Sequence, residues 1–162
     1  MTRTTVFHGL MFLQLTAGSS LGFAQIAPPI VGGTATSDFA AVGAIVAKSG
    51  STRIEFCSAT LIAPNVAVTA AHCVEPFEEV FDFGYDVYLV LGTTVQAAGI
   101  THEVEVLEGY IHPQYNAITA AHDIAILELA DPITDVTPIP LGEERPHDDW
   151  FSHPITYVGW GM

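Results

Sequence analysis

The stretch Thr69-Ala70-Ala71-His72-Cys73 organises the fold predicted for this chain when it is taken together with Cys57, sixteen positions before Cys73. These two cysteines are the only ones among the 162 residues. Residues 58–68 between them have strand composition on both sides of Pro64-Asn65, which predicts two β-strands joined by a short turn. A disulfide closing this loop would contribute roughly 3 kcal/mol of stability in the chain-entropy model.

A disulfide at this place would also fix the position of His72, the residue before Cys73. Two interpretations of His72 follow. The side chain is either a base held in position for catalysis, or a core or surface histidine beside a structural bridge. The stretch alone favours neither interpretation, so the rest of the chain has to distinguish them.

Four further stretches follow the order of a known protein family. They are Ile30-Val31-Gly32-Gly33, Ile111-His112-Pro113-Gln114-Tyr115, Asp123-Ile124-Ala125-Ile126-Leu127 and Val158-Gly159-Trp160-Gly161. With the Ala-Ala-His-Cys run, they resemble the chymotrypsin/trypsin family of serine proteases. Each string alone is weakly specific, whereas their order along the chain is highly specific. The resemblance covers residues 30–162 and corresponds to the N-terminal half of the family fold.

The resemblance assigns a catalytic role to two residues. His72 matches the general base that takes the proton of a serine hydroxyl, and Asp123 matches the carboxylate that orients the imidazole. The resemblance also implies that Cys57 and Cys73 are paired. Ile30 matches the mature N-terminus, whose amine inserts beside the catalytic serine in this family. A peptide or protein substrate is implied, and neither a metal nor another cofactor is expected.

The nucleophile is the part of the family pattern that is missing. In the family it lies in a Gly-Asp-Ser-Gly-Gly run, and the sequence contains no such run. Ser58 and Ser152 lack the glycine context of an attacking serine, so neither is assigned this role. We therefore expect a secreted serine endopeptidase that is present as a partial chain and is inactive by itself. The alternative is a non-catalytic, protease-like binding module or a pseudoprotease.

Short segments rich in Val, Ile and aromatic residues alternate with turn residues from Ala41 onward, as is typical of strands. Six strands are predicted, at 42–47, 54–62, 66–70, 87–91, 104–111 and 124–129. With the resemblance, they predict an all-β fold, a six-stranded antiparallel β-barrel over residues 30–142. This would be the first of the two barrels of a trypsin-like protease. Residues 143–154 would be the inter-barrel linker, and residues 155–162 would be the first strand of a truncated second barrel. Because the chain ends inside that strand, we expect a partial sequence.

The N-terminal residues 1–24 are predicted to be a secretory signal peptide. An apolar run from Val6 to Leu15 follows a single positive charge, and Gly22-Phe23-Ala24 offers a small-x-small cleavage site. The run is too short for a transmembrane anchor. Residues 25–29 would be a short pro-segment, with Pro29 where the family usually has Arg or Lys. A signal peptide and paired cysteines together indicate a secreted protein, extracellular or periplasmic.

The formal net charge of −14, from 18 acidic and 4 basic residues, makes nucleic acid and anionic membranes unsuitable partners. The most acidic stretch, 75–82, is predicted to be a solvated loop, because the family's calcium loop after Leu91-Gly92 lacks its carboxylate here. Apart from the loose pair His147 and His153, the histidines show no zinc spacing, so no metal is assigned. His122 stands where many relatives carry Asn and is interpreted as tolerated variation. The sequence indicates no oligomeric state.

Overall fold

The computed structural model describes residues 33–142 and 152–160. The predicted signal peptide (1–24), the pro-segment (25–29), Ile30 and most of the predicted linker lie outside the described residues. Within them, the segments rich in Val and Ile form six strands. They are β1 Val42–Ser49, β2 Thr52–Ala63, β3 Val66–Thr69, β4 Asp86–Gly92, β5 Ile100–Ile111 and β6 Ala125–Leu129.

The six strands close into a barrel in the order β1-β2-β3-β6-β5-β4, and every neighbouring pair is antiparallel. This confirms the predicted six-stranded antiparallel β-barrel. Closure leaves no free strand edge along the barrel, which removes the usual template for pairing with other chains. The structure extends four of the predicted strands, most of all β5, which begins at Ile100 instead of Val104. It shortens β3 and β6 by one residue each.

The barrel interior is filled by the inward side chains of the alternating strands. Ile45, Leu61, Leu89, Leu91 and Leu127 are fully buried there, one or two from each of four strands. Because a buried aliphatic side chain stabilises a fold by about 1.5–3 kcal/mol, these residues account for much of the free energy that holds the barrel together.

The outer face of β1 is covered as well. Ala44 and Val46 form a second apolar cluster with Val90 and Val95, and the Trp160 side chain packs against it. The Trp160 backbone N–H donates to Ser58 Oγ at 2.7 Å, and its indole N–H donates to the Val42 carbonyl at 3.3 Å. Residues 154–160 form no strand within the described part of the chain, so the strand of a second barrel stays a prediction.

Two short helices connect β3 to β4: α1 Ala71–Val74 and α2 Phe77–Asp82. The prediction of a solvated loop at residues 75–82 was therefore wrong about the backbone, which is mostly helical. The acidic side chains are exposed, as expected. The physical reason is Phe77, which is buried and packs edge-on against Phe56 at 6.3 Å and Phe81 at 6.1 Å. Among the described residues no helix has the length and apolarity needed to span a bilayer.

A charged cluster joins side chains of β1, β2 and β5 across β4, which lies between β1 and β5. Lys48 and Arg53, two of the four basic residues of the chain, both bind the carboxylate of Glu103. Lys48 Nζ also lies 4.8 Å from the centre of the Tyr88 ring. Burial raises the pKa of Glu103, but hydrogen bonds from Lys48 and Arg53 outweigh it and hold that pKa below its ordinary value. The cluster is thus an ionised network on the barrel wall.

Candidate active site

The end of β3 sets the position of His72. The buried Thr69 donates its hydroxyl to the Ser58 carbonyl at 2.8 Å, which fastens the last residue of β3 to β2. The chain then turns into α1, where Ala71 and Cys73 face inward and are buried. His72 between them faces outward, with 59% of its side chain exposed. The histidine therefore lies in a single helical turn just after β3.

The predicted disulfide between Cys57 and Cys73 is confirmed, with the two Cα atoms 6.0 Å apart. This spacing is within the usual range for a disulfide. The bridge joins β2 to α1 and so holds the helical turn that carries His72 against the barrel. One ring nitrogen of His72 lies within 4.8 Å of both sulfurs. Since the sulfurs are bonded to each other, the three residues offer no thiolate ligands to a metal.

Strand register brings Asp123 to His72 across 51 positions of sequence. β3 pairs with β6, and Thr69 lies opposite Ala125 in that pairing. His72 follows Thr69 by one turn, and Asp123 precedes Ala125 by two residues, so both side chains reach the same end of the barrel. The pairing of β3 with β6 thus brings together two residues that are distant in sequence, which no local motif could do.

The two side chains meet through one specific ring nitrogen. His72 Nδ1 lies 2.8 Å from Asp123 Oδ2, and the His72 backbone N–H donates to Asp123 Oδ1 at 2.9 Å. Both carboxylate oxygens are therefore held by the same residue, which fixes the plane of the carboxylate relative to the imidazole. The Asp123 side chain is 23% exposed, so solvent reaches one side of this pair in the described structure.

These contacts keep Asp123 ionised. The backbone N–H of His72, followed by its imidazole, lowers the pKa of Asp123 below its ordinary value, although burial opposes this shift. An ionised carboxylate accepts a hydrogen bond and cannot donate one, so the ring proton of a neutral His72 is placed on Nδ1. Nε2 is then an acceptor, and within the described residues it makes no hydrogen bond. The arrangement can therefore take a proton at Nε2.

Two further groups lie beside this pair. Desolvation and the carboxylates of Glu75 and Asp123 raise the pKa of Tyr115 above its ordinary value. Neither Tyr115 nor Glu75 was predicted from the sequence to lie in the site. Tyr115 could have been found as the last residue of the quoted stretch that precedes the aspartate, whereas Glu75 gave no signal beyond its place in an acidic run.

The other residues weighed in the sequence analysis lie elsewhere. Ser58 Oγ accepts the Trp160 N–H, which ties it to the apolar cluster on the outside of β1. Ser152 also has a contact of its own. Ile30 lies outside the described residues, so its relation to His72 and Asp123 stays a prediction. The described structure thus brings together His72, Asp123 and the disulfide.

Comparison with known proteins agrees with this geometry. The family model described as trypsin matches residues 30–162. A trypsin from Saccharopolyspora erythraea is 34% identical over 110 residues, which are 66% of this chain and 44% of that protein. Chymotrypsin-like elastase family member 1 from Bos taurus is 30% identical over 167 residues, 99% of this chain and 60% of that protein. A trypsin from Phaedon cochleariae is 38% identical over 113 residues, 65% of this chain and 40% of that protein.

The chain thus spans about half the length of the curated relatives it matches, between 40% and 60% for these three. The match includes the whole barrel together with His72, Asp123 and both cysteines. The ordered sequence motifs, the six-stranded barrel and the family match all support one family assignment. The chain belongs to the trypsin family of serine proteases.

Proposed function

We propose that this chain supplies the general base and the orienting carboxylate of a secreted serine endopeptidase. The observation that carries the proposal is the contact between His72 Nδ1 and Asp123 Oδ2, at 2.8 Å, made by a carboxylate that the His72 backbone also holds. The relatives named above are trypsins and an elastase, which supports proteolysis as the reaction.

His72 would act as the general base. With its proton on Nδ1, the imidazole accepts the proton of a serine hydroxyl at Nε2 as the hydroxyl attacks the scissile carbonyl. Asp123 would stabilise the imidazolium that forms, because its negative charge lies against Nδ1 in a partly desolvated place. His72 then returns the proton to the leaving amine, and the cycle repeats with water as the nucleophile.

The substrate would be a peptide or protein, as for the family as a whole. The serine, the donors of the oxyanion hole and the primary specificity pocket would come from sequence beyond these 162 residues. Because loss of the nucleophile costs about 10⁶-fold in turnover, the 162-residue chain alone should show only background hydrolysis. Export to an oxidising compartment would preserve the Cys57–Cys73 bridge. Ile30 would be the mature N-terminus.

The experiment is to read the gene beyond codon 162 for a Gly-Asp-Ser-Gly-Gly stretch and to assay the protein that contains it. We expect cleavage of peptide substrates, and a loss of about 10⁶-fold in kcat for His72→Ala. His102→Ala is the matched control, because His102 lies on β5 and binds a different carboxylate. Its activity should equal that of the unsubstituted protein.

Two results would contradict the proposal. One is an extended protein in which His72→Ala retains full activity. The other is a gene that ends at codon 162, together with a purified chain that is monodisperse and melts cooperatively. The second result would favour the non-catalytic binding module instead.

A further inference from the structure

The loop between β5 and β6 contains a pair of histidines that the proposed mechanism does not use. The His112 and His122 rings are stacked, with their centres 4.9 Å apart and their planes within 10° of parallel. His112 is the residue after β5, and His122 is the residue before Asp123. The stack therefore joins the beginning of the loop to the backbone that carries the orienting carboxylate.

The backbone of His122 is in an uncommon conformation. Its φ is +55°, in the left-handed region that most residues other than glycine avoid. Asn, Asp and His adopt this region more often than other non-glycine residues, but it remains strained for all of them and persists where the surroundings support it. A positive φ thus agrees with the interpretation of His122 as tolerated variation where many relatives carry Asn, and the stack on His112 is a contact that can support this backbone.

The conformation of His122 determines where Asp123 lies. The Ile124 N–H donates to the His122 carbonyl at 2.8 Å, which makes Asp123 the central residue of a three-residue turn. The His112 N–H donates to the Ile124 carbonyl at 3.0 Å and closes the other side. A change of φ at His122 would rotate this turn and move the carboxylate away from His72.

The His112 ring is itself fixed. Its Nδ1 accepts the Gln114 backbone N–H at 3.1 Å, which orients the ring within the loop. Asn116 organises the rest of the loop, with its side-chain oxygen accepting two backbone N–H groups and its own N–H bonded to the Ala121 carbonyl. The half-buried His112 ring is thus a rigid surface against which the exposed His122 ring lies.

We propose that His112 is a positioning residue for the dyad. Through its stack on His122 it maintains the left-handed backbone before Asp123, and thereby the hydrogen bond from Asp123 to His72 Nδ1. This inference rests on the proposed function of His72 and Asp123, but it makes its own prediction about the structure of the pair.

The experiment reads the ring tautomer of His72 in the full 162-residue chain. The ¹⁵N shifts of a neutral imidazole distinguish a proton on Nδ1 from one on Nε2, and free imidazole side chains favour Nε2. The unsubstituted chain should show His72 with its proton on Nδ1. A proton on Nε2 in the unsubstituted chain would contradict the dyad itself and therefore the proposed function.

The positioning role is tested by a substitution and its rescue. His112→Ala removes the stack and should move the His72 proton to Nε2, while His112→Phe, which keeps an aromatic face, should leave it on Nδ1. His112→Ala combined with His122→Gly should restore the Nδ1 proton, because glycine adopts a positive φ without support. Retention of the Nδ1 proton in His112→Ala, or failure of glycine to restore it, would overturn the proposal.

Gln114→Ala is the matched control, since Gln114 is exposed and reaches His112 only through its backbone N–H. It should match the unsubstituted chain, and a shift as large as that of His112→Ala would overturn a specific role for the stack.

Melting curves identify any variant that unfolds. If His112→Ala unfolds, His122→Gly and His122→Val decide: glycine should keep the Nδ1 proton, and the β-branched valine should lose it. Equal behaviour of the two would overturn the proposal.

Discussion

Two His–Asp pairs among the described residues have contacts of nearly equal length but differ in almost every other respect. His72 Nδ1 lies 2.8 Å from Asp123, and His102 Nε2 lies 2.9 Å from Asp135. In the first pair the carboxylate is 23% exposed and the imidazole 59% exposed. In the second pair the exposures are reversed, with 73% for Asp135 and 22% for His102. The comparison shows that a short contact between a histidine and an aspartate is not enough to identify the pair that is proposed to transfer a proton.

Three features distinguish the pairs. Asp123 uses its second oxygen to accept a backbone N–H, whereas the side chain of Asp135 makes no second hydrogen bond within the described residues. The first pair leaves Nε2 available to solvent, whereas in the second pair Asp135 occupies Nε2 and Thr101 lies 3.3 Å from Nδ1. His72 is fixed by the disulfide at the next residue. The proposed proton transfer therefore depends on which ring nitrogen of the histidine is bound and on how firmly the aspartate is held.

The largest expected difference between the two pairs is in catalysis. In the protein that contains the serine, Asp123→Asn should lower kcat by about 10⁴-fold, as the same change does in the type member of the family, because the imidazole is left in the wrong tautomer. Asp135→Asn is the matched control and should leave kcat unchanged. Steady-state kinetics on one peptide substrate would measure both, and equal losses would remove the distinction between the pairs.

The next effect concerns the disulfide beside His72. Replacing both Cys57 and Cys73 by Ala should lower the free energy of unfolding by about 3 kcal/mol, because the unfolded chain regains the freedom of the closed loop. Urea unfolding followed by circular dichroism would measure this loss. The contact between His102 and Asp135 should be unaffected, which the His102 ring resonances can check. An unchanged unfolding midpoint would show that the bridge contributes nothing to stability.

A smaller effect appears on acidification. Because the pKa of Asp123 is lowered in the folded chain, its contribution to stability is present above the pKa of the unfolded residue and is lost as the pH falls through the folded value. The carboxyl ¹³C resonance of Asp123 should therefore titrate below 3.8. Asp123→Asn should remove this part of the acid sensitivity, while Asp135→Asn should retain it. Titration of Asp123 at or above 3.8 would contradict the assigned hydrogen bonds.

The smallest effect is expected at the second pair. Asp135→Ala should change the free energy of unfolding by less than about 0.5 kcal/mol, since an exposed carboxylate gains little from an ion pair in water. The same urea experiment measures it. A loss as large as that of the disulfide variant would mean that the second pair supports the fold, and the contrast between the pairs would then need another explanation.

The sequence was sufficient for the barrel, the disulfide and the residues of the first pair. Strand composition repeats along the chain, and the ordered motifs that resemble the trypsin family mark His72 and Asp123, although each motif alone is weakly specific. The second pair could not be predicted, because His102 and Asp135 are 33 positions apart and neither lies in a motif. The contact depends on the path of the chain after β6, which no local pattern specifies.

Two other features were missed for different physical reasons. The acidic residues of the 75–82 stretch indicated a solvated loop, although Phe77, Val80 and Phe81 in the same stretch have helical spacing. The His112–His122 stack depends on a positive φ at His122. Histidine adopts this region more often than most non-glycine residues but still rarely, so no sequence pattern predicts it. In both cases a contact with the rest of the molecule outweighed the local preference.

The Lys48–Arg53–Glu103 cluster also bears on how this chain resists digestion. Peptidases that cleave after basic residues would find only Lys48 and Arg53 in the described residues, and both are in paired strands with their side chains bound to Glu103. A strand in a ladder cannot enter another enzyme's cleft until its hydrogen bonds open. Attack at these bonds should therefore require at least local opening of the β1–β2 hairpin.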